Sequence, residues 1–223
     1  MIDSPTELTT AFTDLLLAAV ALTLVFCVYR TGHSRDPKKT MIWVWAFAFL
    51  TAASLFGAAA HGFKMPERIN LILWQPINLF LGITVALFVA GVVYDLRRHS
   101  IPSRVLILLI ASALVFYAIT VFIPGYFLVF IIYEAVAMIF AFISYLVLSI
   151  RDRSRSYLFM TVGIFISIIA ALIQATHSVR FRCIWEFDHN GTFHLVQMAG
   201  LVFLLVGLRA GFIAGSVWKR DPW

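Results

Sequence analysis

The sequence predicts an all-α integral membrane protein with seven transmembrane helices. Hydrophobic residues occupy 62% of the 223 positions and charged residues 13%, whereas soluble domains carry about 45–50% apolar and about 25% charged residues. The apolar residues also form long uninterrupted blocks, each close to the roughly 20 residues that a bilayer-spanning helix needs. No extended polar region remains for a soluble domain, so residues 1–223 are predicted to form one transmembrane domain.

Seven apolar blocks follow one another along the chain. They cover residues 8–29, 41–63, 69–96, 101–122, 126–150, 157–177 and 190–217. Only Ile123-Pro124-Gly125 separates the fourth block from the fifth, but a Pro-Gly pair is typical of a turn. Together these two blocks hold about 50 residues, too many for a single crossing. The fourth block has almost no polar residue, which favours a lipid-facing position.

Lysine and arginine residues concentrate in the loops on one side of the predicted bundle. Loops rich in these residues face the cytoplasm, so the pattern predicts an N-terminus outside and a C-terminus in the cytoplasm. The short loops and the strong charge bias favour a bacterial inner membrane. Because the basic residues are dispersed over short loops, no nucleic-acid partner is expected. The basic side carries Arg30, Arg35, Lys38, Lys39, Arg97, Arg98, Arg104, Arg151, Arg153, Arg155, Lys219 and Arg220, and the other side carries Lys64, Arg68, Arg180 and Arg182.

Nearly all polar residues within the predicted helices lie in their outer halves. Polar side chains inside a membrane are costly and usually face a bundle interior or a cavity. Their spacings of three, four and seven residues place them on one face of each helix. We therefore expect a polar chamber that opens toward the outer face. Besides histidines, its candidate residues are Ser54, Gln75, Asn78, Glu134, Gln174, Asn190 and Gln197, whereas Asp14 is expected to pack between helices or lie at the headgroups.

Four histidines, His61, His177, His189 and His194, lie near helix ends on the predicted outer side. With Glu134 they supply the imidazole and carboxylate ligands that zinc sites use. The Gln and Asn side chains would then orient these ligands through hydrogen bonds. Three interpretations stay open at this point: a metal site, a metal-free pocket for a polar ligand, and polar residues that only hold the helices together.

The arrangement resembles the membrane-protein superfamily of alkaline ceramidases and adiponectin/progestin-type receptors. The resemblance rests on His61 at the end of the second helix and on Asp188-His189-Asn190-Gly191-Thr192-Phe193-His194 at the start of the seventh. It implies a seven-helix hydrolase with zinc held by the helix-two His and an HxxxH pair, on the side of the membrane that holds the N-terminus. Here the two later histidines are five residues apart, about 140° around an ideal helix. His189 can therefore join His194 at one metal only if it precedes the regular helix.

Two further positions differ from the pattern of that superfamily. Its serine four residues before the helix-two His is replaced by Gly57, and the region of its helix-three Asp holds Gln75 and Asn78. The combined prediction is a zinc-dependent hydrolase of a lipid amide or ester, with His61 and His194 as ligands, His189 or His177 as a third, and Glu134 as general base.

The alternative prediction is a non-catalytic protein. It would be either an accessory subunit of a larger membrane complex or a protein that binds membrane lipid or a pigment. A transporter is disfavoured because the inner half of the predicted bundle shows no matching polar route, and we find no inverted repeat of the kind common in transporters.

Overall fold

The computed structural model describes residues 1–98, 100–123 and 128–218. They form seven helices that are each long and apolar enough to cross a membrane, which confirms the predicted all-α, seven-helix fold. A short antiparallel ribbon, which the hydropathy pattern did not predict, joins the last two helices. The predicted Pro124-Gly125 turn and the basic Lys219 and Arg220 lie outside the described residues. The elements are α1 (Pro5–Gly32), α2 (Pro37–Gly62), α3 (Glu67–Leu96), α4 (Ser103–Phe122), α5 (Leu128–Asp152), α6 (Arg155–Thr176), β1 (Phe181–Arg182), β2 (Glu186–Phe187) and α7 (His189–Trp218).

Capping residues extend the first two helices beyond their apolar blocks. The side chain of Ser4 accepts a hydrogen bond from the backbone N–H of Glu7 at 3.4 Å, so α1 begins at Pro5. In the same way Asp36 accepts a bond from the backbone N–H of Lys39 at 3.1 Å, and α2 begins at the following proline. A capping side chain followed by proline is a favourable start for a helix. Lys39 therefore lies in the first turn of α2 rather than in the preceding loop, where the charge pattern placed it.

Six of the helices form a closed ring in the order α1, α2, α3, α5, α6, α7. Helix α4 lies outside this ring, packed against α3 and, over a smaller area, against α5. Only 17% of its apolar window is buried in the protein, in agreement with the lipid-facing position expected from its composition. The end of the bundle that holds the N-terminus is called the outer end below, and the opposite end is called the inner end.

Helices α6 and α7 approach each other especially closely. A Cβ atom built on Gly163 would lie 2.9 Å from the carbonyl oxygen of Gly200, and one built on Gly200 would lie 2.7 Å from the Ser167 hydroxyl. Small residues allow membrane helices to pack backbone against backbone. The contact fixes α7, which carries several of the candidate site residues, against the ring.

A buried ion pair lies near the inner end of the ring. The Lys39 ammonium donates to both carboxylate oxygens of Asp95, at 2.7 and 2.8 Å, and the Tyr145 hydroxyl donates to the same carboxylate at 3.0 Å. All three side chains are buried. These three side chains join α2, α3 and α5. They form a layer of polar residues near the inner end, whereas the sequence had indicated polar residues almost only in the outer half.

Candidate functional site

The six-helix ring encloses a cavity of about 550 Å³. Its outer part is polar and its inner part is apolar, lined there by aromatic and aliphatic side chains such as Trp43, Phe47 and Phe88. His61 and Trp43 line it at positions 18 residues apart on α2, which corresponds to about 27 Å along the helix axis. The polar residues of the lining are Asp14, Ser54, His61, Trp74, Thr84, Glu134, Ser167, Gln174, His177, His189, Asn190, His194 and Gln197.

A carboxylate and an imidazole face each other in the outer part of this cavity. The Oδ1 atom of Asp14 on α1 lies 3.3 Å from Nε2 of His194 on α7, and both side chains are buried. Gly57 on α2 leaves the space that the carboxylate occupies, because a Cβ atom there would lie 2.9 Å from Oδ2 of Asp14. Asp14 is therefore a member of the candidate site, whereas the sequence had favoured a packing or headgroup position for it.

Thr13 determines how His194 presents its two ring nitrogens. The Thr13 hydroxyl donates to the carbonyl of Thr10 at 2.9 Å, and the same oxygen lies 2.9 Å from Nδ1 of His194. A hydroxyl has one proton, and when that proton is directed at Thr10, the oxygen accepts a bond from Nδ1–H of His194. A neutral His194 then has its lone pair on Nε2, the nitrogen that faces Asp14.

His61 is oriented in a similar way at the end of α2. Its Nδ1 donates to Oε2 of Glu7 at 2.7 Å, since a carboxylate only accepts. The ring lies at a right angle to that of Trp74, with 5.7 Å between the ring centroids. His61 lies one helical turn beyond Gly57 and lines the same cavity as Asp14. In the neutral imidazole, Nε2 is again the nitrogen without a proton.

His177 and His189 form a separate pair at the outer end. Nδ1 of His177 and Nε2 of His189 lie 2.7 Å apart, a hydrogen-bond distance. Helix α7 begins at His189, so this residue does not precede the regular helix, which was the condition for sharing a metal with His194. Among the residues that the structure describes, no group of three or more His, Cys, Asp or Glu side chains is placed to hold a metal ion.

The other predicted site residues divide between the cavity and its surroundings. Ser54, Glu134, Gln174, Asn190 and Gln197 line the cavity, and the Gln174 amide donates to Asn190 at 3.4 Å. Three buried oxygens in this wall have no partner among the described residues: Oε2 of Glu134, Oε1 of Gln174 and Oε1 of Gln197. The half-buried Gln75 and Asn78 are not part of the described lining.

Asp188 holds the start of α7 against α1. Its Oδ1 accepts from the backbone N–H of Gly191 at 3.0 Å and from the hydroxyl of Thr10 at 3.2 Å. The first bond is an N-cap, and the second fixes α7 against α1 one turn from Thr13.

The sequence analysis did not identify Thr13 or Glu7 as site residues. The signal that could have identified Thr13 is its position directly before the acidic Asp14 in an apolar helix.

Comparison with known proteins gives one match. The sequence model of a family of unknown function, DUF6962, matches residues 9–212. No curated protein and no solved structure matches the chain.

Proposed function

The chain belongs to the DUF6962 family, and we propose that it is a metal-dependent integral-membrane hydrolase that acts on the amide or ester bond of a single-chain lipid. The observation that carries this proposal is the pair formed by Asp14 and His194 at the polar end of a long apolar cavity. The superfamily of seven-helix hydrolases that the sequence resembles gives the proposal its reaction class.

The separation of the two side chains fits a shared metal ion better than a direct contact. A charge-assisted N–H···O bond is about 2.7–2.9 Å long, whereas Asp14 and His194 lie 3.3 Å apart. Zinc bonds of about 2.0–2.1 Å at tetrahedral angles place two ligand atoms about 3.3–3.4 Å from each other. The spacing of the pair therefore supports a zinc-type site.

The protonation of the imidazoles supports the same assignment. Metal-binding histidines usually donate their second ring N–H to an acceptor that fixes the tautomer. Thr13 serves as that acceptor for His194, and Glu7 serves for His61. Asp14 and His194 are thus the proposed ligands, with zinc as the proposed metal. Since no three such side chains are placed to hold a metal among the described residues, His61 would have to move toward this pair to act as the third ligand. The sequence predicted His189 or His177 as a ligand beside His61 and His194. Asp14 takes that place in the proposal, because His189 and His177 bond to each other.

Zinc held by these residues would supply Lewis-acid polarisation of a carbonyl oxygen. The side chains of the protein supply the proton acceptor and the hydrogen bonds that orient the substrate. Glu134, whose Oε2 has no partner among the described residues, is the proposed acceptor of a proton from the attacking water. Gln174 and Gln197 present amide groups to the same space and orient the polar part of the substrate by hydrogen bonds.

The shape of the cavity supports a substrate with one long apolar chain. The lining changes from polar at Asp14 and His194 to apolar toward Trp43. A pocket that is mainly apolar with a few placed polar groups is typical of a site for an amphipathic small molecule. The scissile bond would lie at the polar level and the acyl chain below it.

The first experiment is elemental analysis of the detergent-purified protein, wild type beside Asp14→Ala, His194→Ala and His177→Ala. We expect about one zinc or similar ion per chain, lost in the first two variants and retained in the third. Release of fatty acid from single-chain amide and ester probes should be lost in the same two variants. A folded wild type without metal would overturn the hydrolase proposal.

A metal-free protein that still binds the probe would favour the second candidate, a lipid- or pigment-binding protein that acts alone or as an accessory subunit of a larger membrane complex. The specific observation in its favour is the cavity itself, whose apolar part needs no metal to hold an acyl chain.

We further propose that the outer end faces away from the cytoplasm, in a bacterial inner membrane. The unequal distribution of Lys and Arg residues supports this orientation. Cys183 is exposed in the segment between α6 and α7, on the same side as the N-terminus if each helix crosses once. In a Cys27→Ser background, a membrane-impermeant maleimide should label Cys183 from outside. Labelling only after lysis would reverse the orientation.

A further inference from the structure

The seam between α3 and α5 is the weakest contact between neighbours in the six-helix ring. At the inner end the Tyr145 hydroxyl of α5 donates to Asp95 of α3 at 3.0 Å. In the outer half the hydroxyl of Tyr133 on α5 lies 3.4 Å from the carbonyl of Gly82 on α3, which is long for such a bond. The two helices are thus fastened at one end and held mainly by apolar packing at the other.

Phe116 of α4 fills the outer half of this seam. Its ring stacks on Tyr133 with 4.8 Å between centroids and an interplanar angle of 10°, and it lies 6.0 Å from the ring of Phe130. On the opposite side it covers Gly82, where an added Cβ atom would lie 2.8 Å from the ring. Although α4 is mostly lipid-exposed, Phe116 is only 3% exposed and acts as a wedge between α3 and α5.

The cavity lies directly behind this wedge. Leu81 and Val85 of α3 and Phe130 of α5 belong to its lining. Val85 and Phe130 also pack in one apolar cluster with Phe116. A single layer of side chains therefore separates the cavity from the helix that faces the lipid.

The outer end, by contrast, is held by polar contacts between neighbouring helices. His177 and His189 join the ends of α6 and α7 at 2.7 Å, and His61 and Glu7 join α2 and α1 at 2.7 Å. A lipid entering there would first have to expose its acyl chain to water, which is unfavourable in proportion to the apolar area exposed. An acyl chain that moves from the bilayer into the apolar seam stays out of water throughout.

We propose that the α3–α5 seam, closed by Phe116, is the portal through which the cavity takes up a single-chain lipid from the surrounding bilayer. The proposal rests on the lipid ligand proposed above, but on neither the metal nor the hydrolysis. Displacement of α4 with Phe116 opens the outer half of the seam, while the bond between Tyr145 and Asp95 keeps the inner half closed.

The test uses the full chain in phosphatidylcholine vesicles and a single-chain fatty amide that carries a fluorophore, dissolved either in the vesicle lipid or in the outer buffer. Phe116→Ala removes the wedge, and Phe116→Leu removes the aromatic stack while keeping most of the apolar volume. Val115→Ala, at a neighbouring α4 position that is 60% exposed, is the matched control. Thr10→Val removes the bond between Thr10 and Asp188 and loosens the outer end without changing the described lining of the cavity. The uptake rate and the equilibrium occupancy of the cavity are both measured.

Phe116→Ala should raise the rate of uptake from the lipid by at least about threefold, as expected when a gating segment limits access. Phe116→Leu should have a smaller effect in the same direction, and Val115→Ala and Thr10→Val should match the wild type. Equilibrium occupancy should stay unchanged in all variants. Unchanged rates in both folded Phe116 variants, or acceleration by Thr10→Val instead, would refute the portal while leaving the lipid site intact. A wild type that does not bind the amide would overturn the portal and the lipid site together.

Discussion

Removing either member of the ion pair between Lys39 and Asp95 should destabilise the bundle strongly. Both side chains are nearly inaccessible, at 5% and 2% exposure, and their atoms lie 2.7 and 2.8 Å apart. Removing one member of a buried pair costs about 3–5 kcal/mol, because the other charge is left without compensation. Asp95→Asn should fall at the lower end of this range, since the long Lys39 side chain can extend toward the membrane surface.

Replacing both members should cost much less than the two single changes together. With Lys39→Met and Asp95→Asn combined, no uncompensated charge remains, and the remaining cost is that of a buried amide, about 1–3 kcal/mol. Two single losses of about 3–5 kcal/mol each would add to at least about 6 kcal/mol. We therefore expect the double variant to be more stable than additive losses predict by at least about 3 kcal/mol. The assay is equilibrium unfolding in mixed micelles as the fraction of SDS is raised, followed by circular dichroism.

The exposed ion pair between Lys64 and Asp3 is the matched control. Its side chains are 58% and 83% exposed, so Lys64→Met and Asp3→Asn should each change the free energy of unfolding by no more than about 0.5 kcal/mol. Additive losses in the Lys39/Asp95 cycle, or single losses as small as those of the control pair, would refute the reasoning.

Three further changes test the outer site. Gly57→Ala should displace the Asp14 carboxylate, which a Cβ atom would meet at 2.9 Å, and abolish metal content while helical circular dichroism is retained. Thr13→Val should weaken metal binding about 10- to 100-fold, because Nδ1 of His194 loses its acceptor; equal affinities by competition with a chelator would contradict this. Asp188→Ala should lower the free energy of unfolding by about 1–2 kcal/mol through the lost cap, whereas Asp188→Asn should retain most of it in the same unfolding assay.

The helices could be predicted from hydropathy because a bilayer crossing needs a long apolar block whatever its neighbours are. The Pro-Gly signal correctly divided α4 from α5, since each is a separate helix in the structure. The starts of α1 and α2 were placed three and four residues too late, because the cap and the first turn are polar. For α2 this error assigned Lys39 to a loop and concealed the ion pair with Asp95.

The site was predicted less completely, because spacing shows which residues share a face of one helix but not which faces meet. The chamber was expected at the outer end, and the structure has a cavity there with His61 and His194 in its wall. Asp14 was assigned to helix packing or to the headgroups because its position depends on how α1 is rotated against α2 and α7. That rotation depends on the space left by Gly57, a contact between two helices that a single sequence does not display.

The depth of the cavity sets the length of apolar chain that the protein can hold. Its lining extends from His61 to Trp43 on α2, about 27 Å along the helix axis, which is close to the roughly 30 Å of hydrocarbon in a bilayer. The fully buried indole of Trp43 lies six residues from the inner end of α2, so about 9 Å of helix remains beyond it. A smaller residue at position 43 would therefore lengthen the apolar end of the cavity and admit a longer acyl chain.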